Sequence, residues 1–193
     1  MRRSMFAPMI FLFLAFSCLH AGSVFAVEDG FTVGHKVSCE YFTIFVEPGI
    51  EVPELNERLN IGFSDSLLAG RTGKESPLPG DALAEMVDIL FLRVTDILDM
   101  RLFDFKGNIK ICRNSASLGS AYQKIFGRDM KDTCSFYVND LNTIYITADH
   151  FEVGVLGHEI AHTVQSHYFV VAAPTKVQEV LAGYVEFQLR KKK

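Results

Sequence analysis

An α+β domain, in which a mixed sheet with an antiparallel edge strand packs on long helices, is the fold class this sequence predicts. Two observations carry it. Runs rich in aromatic and β-branched residues alternate along the chain with longer stretches of helical periodicity. The length of 193 residues suits one domain, and no internal repeat or low-complexity segment marks a second.

The N-terminus is set apart from that domain. It opens Met1-Arg2-Arg3, continues as an apolar run from Met9 to Phe16 and reaches Val24-Phe25-Ala26, with small residues where a signal peptidase reads. These are the three parts of a secretory signal peptide spanning 1–26. The apolar run is shorter than the ~20 residues a span needs, so no stable membrane span is expected after cleavage. The chain is therefore expected to be exported, periplasmic or secreted, with 27–193 forming the domain. Its net charge of −4, with no basic block except Lys191 to Lys193 at the end, argues against a nucleic-acid partner, and that terminal cluster reads as a solvated tail. Past the leader remain Cys39, Cys112 and Cys134, enough for one bridge at most. Export permits one. Cys112 with Cys134 is the favoured pair, because each falls in a strand-like segment of the same sheet; three buried thiols are the alternative.

The elements follow in order. Cys39 to Val46 is aromatic and β-branched, is closed by Pro48-Gly49, and predicts the first strand. A short helix is expected from about Val52 to Leu68, then a loop from Gly70 to Gly80, where three glycines and two prolines fall. From Asp81, placed to cap it, a long helix carries Leu83, Met86, Val87, Leu90, Val94 and Ile97 at helical spacing. Asn108 to Cys112 alternates as a second strand. Asn114 or Ser115 then opens a helix that Gly127 stops. Cys134 to Val138 and Asn142 to Ile146, joined across Asn139-Asp140, predict a hairpin. Asp149 with Glu152 suits a capping box for a helix running to about His167, and Pro174-Thr175 with Gln178 opens a last helix.

Chemistry concentrates in the penultimate helix. His158-Glu159-Ile160-Ala161-His162 matches H-E-x-x-H. Histidines four apart lie on one helix face about 6 Å apart along the axis, so both rings can converge on one ion at roughly 2.0 to 2.1 Å. Glu159, one residue round, can reach a water on that ion as general base. Zinc in such a site needs a third protein ligand. A continuation with Gly at 165 and His at 168 is absent, since Gln165 and Tyr168 stand there, and His167 turns away from the ligand face. Glu179, near the first turn of the last helix, can face the motif helix across the connection through Pro174. Glu186, two turns on, is a rival. Ala182 and Gly183 would let the two helices come close.

Val155-Leu-Gly-His-Glu-Ile-Ala-His162 followed by Glu179-Val-Leu-Ala-Gly-Tyr184 resembles the gluzincins, especially the small peptidase-MA-like group with H-E-L-x-H and then E-G-L-A-E-Y. The specific part of the resemblance covers about Tyr137 to Glu186. It implies a zincin-like domain over 27–193 with one zinc ion between the motif helix and the C-terminal helix, held by His158, His162 and Glu179. It implies a zinc-dependent peptidase in which Glu159 activates the zinc-bound water, a peptide or protein as substrate, and an edge strand along the cleft, expected at Thr143, Ile144 and Tyr145. The family's Gly stands as Val180 here, and its acidic residue, which would orient a ligand histidine, stands as Gly183. Glu186, Asp149 or a backbone carbonyl could fill that gap. An oxyanion stabiliser, supplied in larger relatives by a further domain, is sought among Tyr184, Tyr168 and His167, with Tyr184 first. The competing reading is a catalytically inactive zinc-binding scaffold or binding module of the cell envelope.

Overall fold

The computed structural model describes residues 28–59 and 79–191. The expected leader, most of the expected loop, and the second half of the helix expected to end near Leu68 lie outside them. Within the described residues the order is β1 (His35–Ser38), β2 (Phe42–Val46), α1 (Val52–Arg58), α2 (Pro79–Leu98), β3 (Gly107–Cys112), α3 (Ser115–Phe126), β4 (Ser135–Val138), β5 (Thr143–Thr147), α4 (Val153–Tyr168) and α5 (Thr175–Arg190). The class is mixed α and β, as expected.

The five strands form one sheet in the order β1-β2-β3-β5-β4. The two outer pairs are antiparallel, while β2 with β3 and β3 with β5 are parallel. Strand alternation distributes side chains to two faces. Phe42, Ile44 and Val46, Ile109 and Ile111, and Ile144 and Ile146 share the main core with Leu83, Val87, Leu90 and Val94 of α2 and with Leu156, Ile160 and Val164 of α4. On the other face Cys112 and Tyr145 pack with Leu118 and Ala121 of α3.

The first strand is a hairpin rather than a single strand, because His35–Ser38 pairs back on β2 and the Cys39 amide donates to the Phe42 carbonyl at 2.8 Å. Three of its four side chains are polar and exposed, and the part-buried Val37 alone makes too short an apolar signal. Asn114 caps α3 by accepting from the Ser117 amide, and Gly127 ends that helix at φ 66°, where glycine meets no Cβ penalty. Within the described residues helix α2 already includes Pro79 and Gly80, so Asp81 lies inside it and does not cap its start. Asp149 caps nothing: it sits in a 3-10 turn, 3.5 Å from Arg58, and α4 begins after Glu152 with no side-chain cap.

Two expectations fail on strand order. Thr143, Ile144 and Tyr145 are not at an edge, because β5 is hydrogen-bonded to β3 on one side and β4 on the other and is buried throughout. The edge next to α4 is β4. Cys112 and Cys134 are not bridged, and both are free with Cys39. Thr147 of β5 lies between them, paired with Cys112 and donating its amide to the Cys134 carbonyl. Two strand spacings are about 9.6 Å, beyond the ~7 Å over which a disulfide can form.

Candidate metal centre

The site grows from two helices packed closely against each other. Gly157 of α4 faces Leu189 and Val185 of α5, and a Cβ there would overlap Leu189. Ala182 is fully buried in the same seam. Gly183, expected to aid the approach, faces open space. The close approach belongs to Gly157 and Ala182.

That packing brings the ligand candidates together. His158 and His162, one turn apart, place their Nε2 atoms 3.2 Å from each other. Glu179 stands opposite, with Oε1 3.5 Å from His162 Nε2 and Oε2 3.6 Å from His158 Nε2. Donors about 2.0 to 2.1 Å from a tetrahedral ion lie about 3.3 Å apart along each edge of the tetrahedron. The two imidazole nitrogens match such an edge, each Glu179 oxygen lies near one of them, and with one donor atom from each residue all three fall within 4.8 Å, so the group could hold a metal ion.

Behind His158 stands Glu186. Its Oε2 is 3.2 Å from His158 Nδ1, and Arg190 holds its other oxygen at 2.9 Å while also reaching Glu152 at 3.1 Å. A carboxylate at Nδ1 favours the tautomer that leaves the Nε2 lone pair free toward Glu179. Of the side chains expected to fill the orienting place, Glu186 is the one in reach of His158, on the nitrogen away from Glu179. Asp149 is committed to Arg58.

Glu159 turns inward. It is almost fully buried, and its Oε1 accepts the Ser135 hydroxyl at 2.7 Å. Burial pushes its carboxyl up, the Ser135 bond and the His158 charge draw it back, and Glu179 and Glu186 push it further up; the net is upward. Burial lowers the His162 imidazole more than Glu179 raises it, so the ring favours its neutral form, the one that binds metal.

The cluster opens into a cavity of about 500 Å³ lined by His158, Glu159, His162 and Glu179, by Ser135, Phe136 and Tyr137 of β4, and by the chain between α4 and α5. Tyr137 was missed in the sequence because its strand was not expected to border the site. Its hydroxyl lies 3.1 Å from Ser166 Oγ and 3.3 Å from Asn142 Oδ1, and burial pushes the phenol up, keeping its proton. Tyr184 is not brought to the site. Five positions beyond Glu179 is about 140° round the helix, and its ring is 48% exposed on the outer surface. His167 is engaged elsewhere, with Nδ1 2.9 Å from the Thr163 carbonyl and its ring edge-on to Phe105; with Tyr168 it lines a separate cavity.

Comparison with protein-family models, with curated proteins and with solved structures finds no match for this chain.

Proposed function

We propose that the protein is a zinc-dependent peptidase of the gluzincin type, a zincin-like domain whose metal sits between α4 and α5. The observation that supports it most is the convergence of His158, His162 and Glu179, with one possible donor atom from each within 4.8 Å of the others. Two neutral imidazoles and one carboxylate suit zinc and leave a fourth position open. Zinc held there would supply Lewis acidity, polarising a carbonyl and lowering the pKa of a water.

The rest of the chemistry falls to the chain. Glu159 is the general base, one oxygen held by Ser135 and the other left to take a proton and return it to the departing amine. Its buried surroundings favour the neutral form, which eases that return. Glu186 orients His158. An extended peptide adds to the free edge of β4, beside the cavity, in place of the expected pairing with β5. Tyr137, the phenol on the cavity wall, replaces Tyr184 as the candidate oxyanion donor. With the signal-peptide reading of 1–26, the activity belongs outside the cytoplasm.

Elemental analysis of the chain from Val27 onward, with Glu159→Gln and Glu179→Ala variants and a peptide-library cleavage assay, tests this. About one zinc in wild type and Glu159→Gln, none in Glu179→Ala, and cleavage by wild type alone are expected. Zinc retained with no cleavage of any peptide would make the protein a zinc-binding scaffold of the envelope. No zinc in metal-replete wild type would end both readings.

A further inference from the structure

Helix α5 has a second face that the metal site does not use. Its buried residues, Ala182, Val185 and Leu189, point inward, and its two acids, Glu179 and Glu186, point toward His158. Opposite them Val177, Val180, Tyr184 and Phe187 fall within an arc of about 80°. They are 44%, 63%, 48% and 58% exposed. A surface helix normally carries polar and charged residues there. Among the described residues of the helix and its end, the charges bordering this arc are basic: Lys176 stands at its border and Lys191 continues it, with Nζ 5.2 Å from the Phe187 ring centroid. Lys192 and Lys193 follow in the sequence. Near the Val177 end, Val170 and Val171 of the α4–α5 connection are almost wholly exposed, beside the cavity-lining Phe169 and Ala172.

We infer that the outer face of α5 seats the protein on an anionic lipid bilayer surface, apolar side chains in the interface and lysines at the headgroups. An apolar stripe with aromatic rings, bordered by lysines, is the composition of a helix lying in the plane of a membrane interface. Lysine stems can lie along apolar surface while their ammonium groups reach phosphate. A second copy of the chain fits less well. The four side chains expose on the order of 400 Å², about half of the ~800 Å² each partner brings to a stable protein interface. Antiparallel self-pairing would set Lys176 against Lys191, and parallel pairing would oppose the lysines directly, with no acid on the arc to balance them. The interface would lie on the surface, with no span required; among the described residues no helix is long and apolar enough to cross a membrane. Seating of this kind is independent of metal binding and would hold the α4–α5 connection, and with it the cavity rim, close to the lipid.

The chain contains no tryptophan, so Phe187→Trp gives the full chain a single indole on this face, and Val180→Trp is a second reporter on the same arc. Emission is followed with vesicles of phosphatidylglycerol or of phosphatidylcholine, with and without lipids carrying a quencher. The expected result is a blue shift and quenching with phosphatidylglycerol, reversed by salt, and little change with phosphatidylcholine. Adding Lys176→Gln and Lys191→Gln should weaken partitioning about thirtyfold, about fivefold per lysine. Binding of the chain to vesicles with an unquenched indole would show attachment through another part and overturn the inference. So would equal partitioning into both lipids, or a blue shift without vesicles that tracks concentration-dependent association of the chain.

Discussion

Replacing Glu186 probes the step from packing to metal affinity, because the carboxylate touches the proposed ligand His158 on the nitrogen that faces away from the metal position. Carboxylates in that place contribute about 10- to 100-fold to metal affinity. Two features put Glu186 near the lower end. Its side chain is 31% exposed, and Arg190, 2.9 Å from its other oxygen, draws off part of its charge. Glu186→Ala should therefore weaken zinc binding about tenfold, about 1.4 kcal/mol. Glu186→Gln should fall between, since an amide oxygen can still accept from Nδ1. Glu179→Ala removes a ligand and should abolish stoichiometric binding. Competition against a chromogenic chelator at constant pH measures all three. Loss of zinc from Glu186→Ala with retention by Glu179→Ala would reverse the two roles; wild-type affinity in Glu186→Ala would refute the orienting role.

Ser135→Ala leaves Glu159 buried without its donor and should lower kcat about 10- to 100-fold, from a hydrogen bond of about 1.5–3 kcal/mol, while zinc content stays unchanged. Gly157→Val forces the α4–α5 seam apart against Leu189 and should cost about 1–3 kcal/mol in urea unfolding; adding Leu189→Ala should cost less than the two single effects together. Asp29 anchors a buried cluster on the α3 face of the sheet: burial pushes its carboxyl up, but bonds from Lys110, Tyr145 and the Phe31 amide, with the Lys110 charge, carry it below the ordinary value. With the folded value depressed, this stabilisation is full above the unfolded pKa of ~3.9 and fades as pH falls through the folded one. Asp29→Asn should thus cost about 2 kcal/mol at neutral pH and progressively less below pH ~4, as read from unfolding curves in that range. Cys112, buried with its thiol pushed up to about 12, should react with a thiol reagent only after unfolding, and the described residues should then yield three free thiols.

What was legible in the sequence was local. Helical spacing in α2 and α4, the Asn114 cap and the Gly127 stop depend on residues within a few positions of one another. The convergence of His158, His162 and Glu179 was legible for the same reason, since they sit on two consecutive helices. Strand order was not legible, because hairpin residues do not encode which strand docks on β3. A hint was present: Ile144, Tyr145 and Ile146 are consecutive apolar residues, a pattern of strands covered on both faces, and β5 is such a strand. The edge expectation came with the family resemblance, and the Cys112–Cys134 pairing rested on both segments belonging to one sheet, with no information on which strand lies between them. Glu186 was legible as a neighbour of the site, but which imidazole nitrogen it meets depends on how α5 is rolled against α4, a matter of Gly157, Ala182 and Leu189. Tyr184 failed on that same roll.

The two helices that carry His158, His162 and Glu179 lie next to each other in the chain, and none of these three residues belongs to the sheet. A cation bound there would act as a clasp on a helical hairpin and leave the domain core alone. The loop it closes is short, so its cross-linking contribution is small compared with that of a clasp between distant segments. Its removal would loosen α5 and the α4–α5 connection first, while β2, β3 and β5 keep their packing on α2. Amide exchange would then fall into two tiers, a sheet indifferent to chelator and a C-terminal helix whose protection rises and falls with free metal.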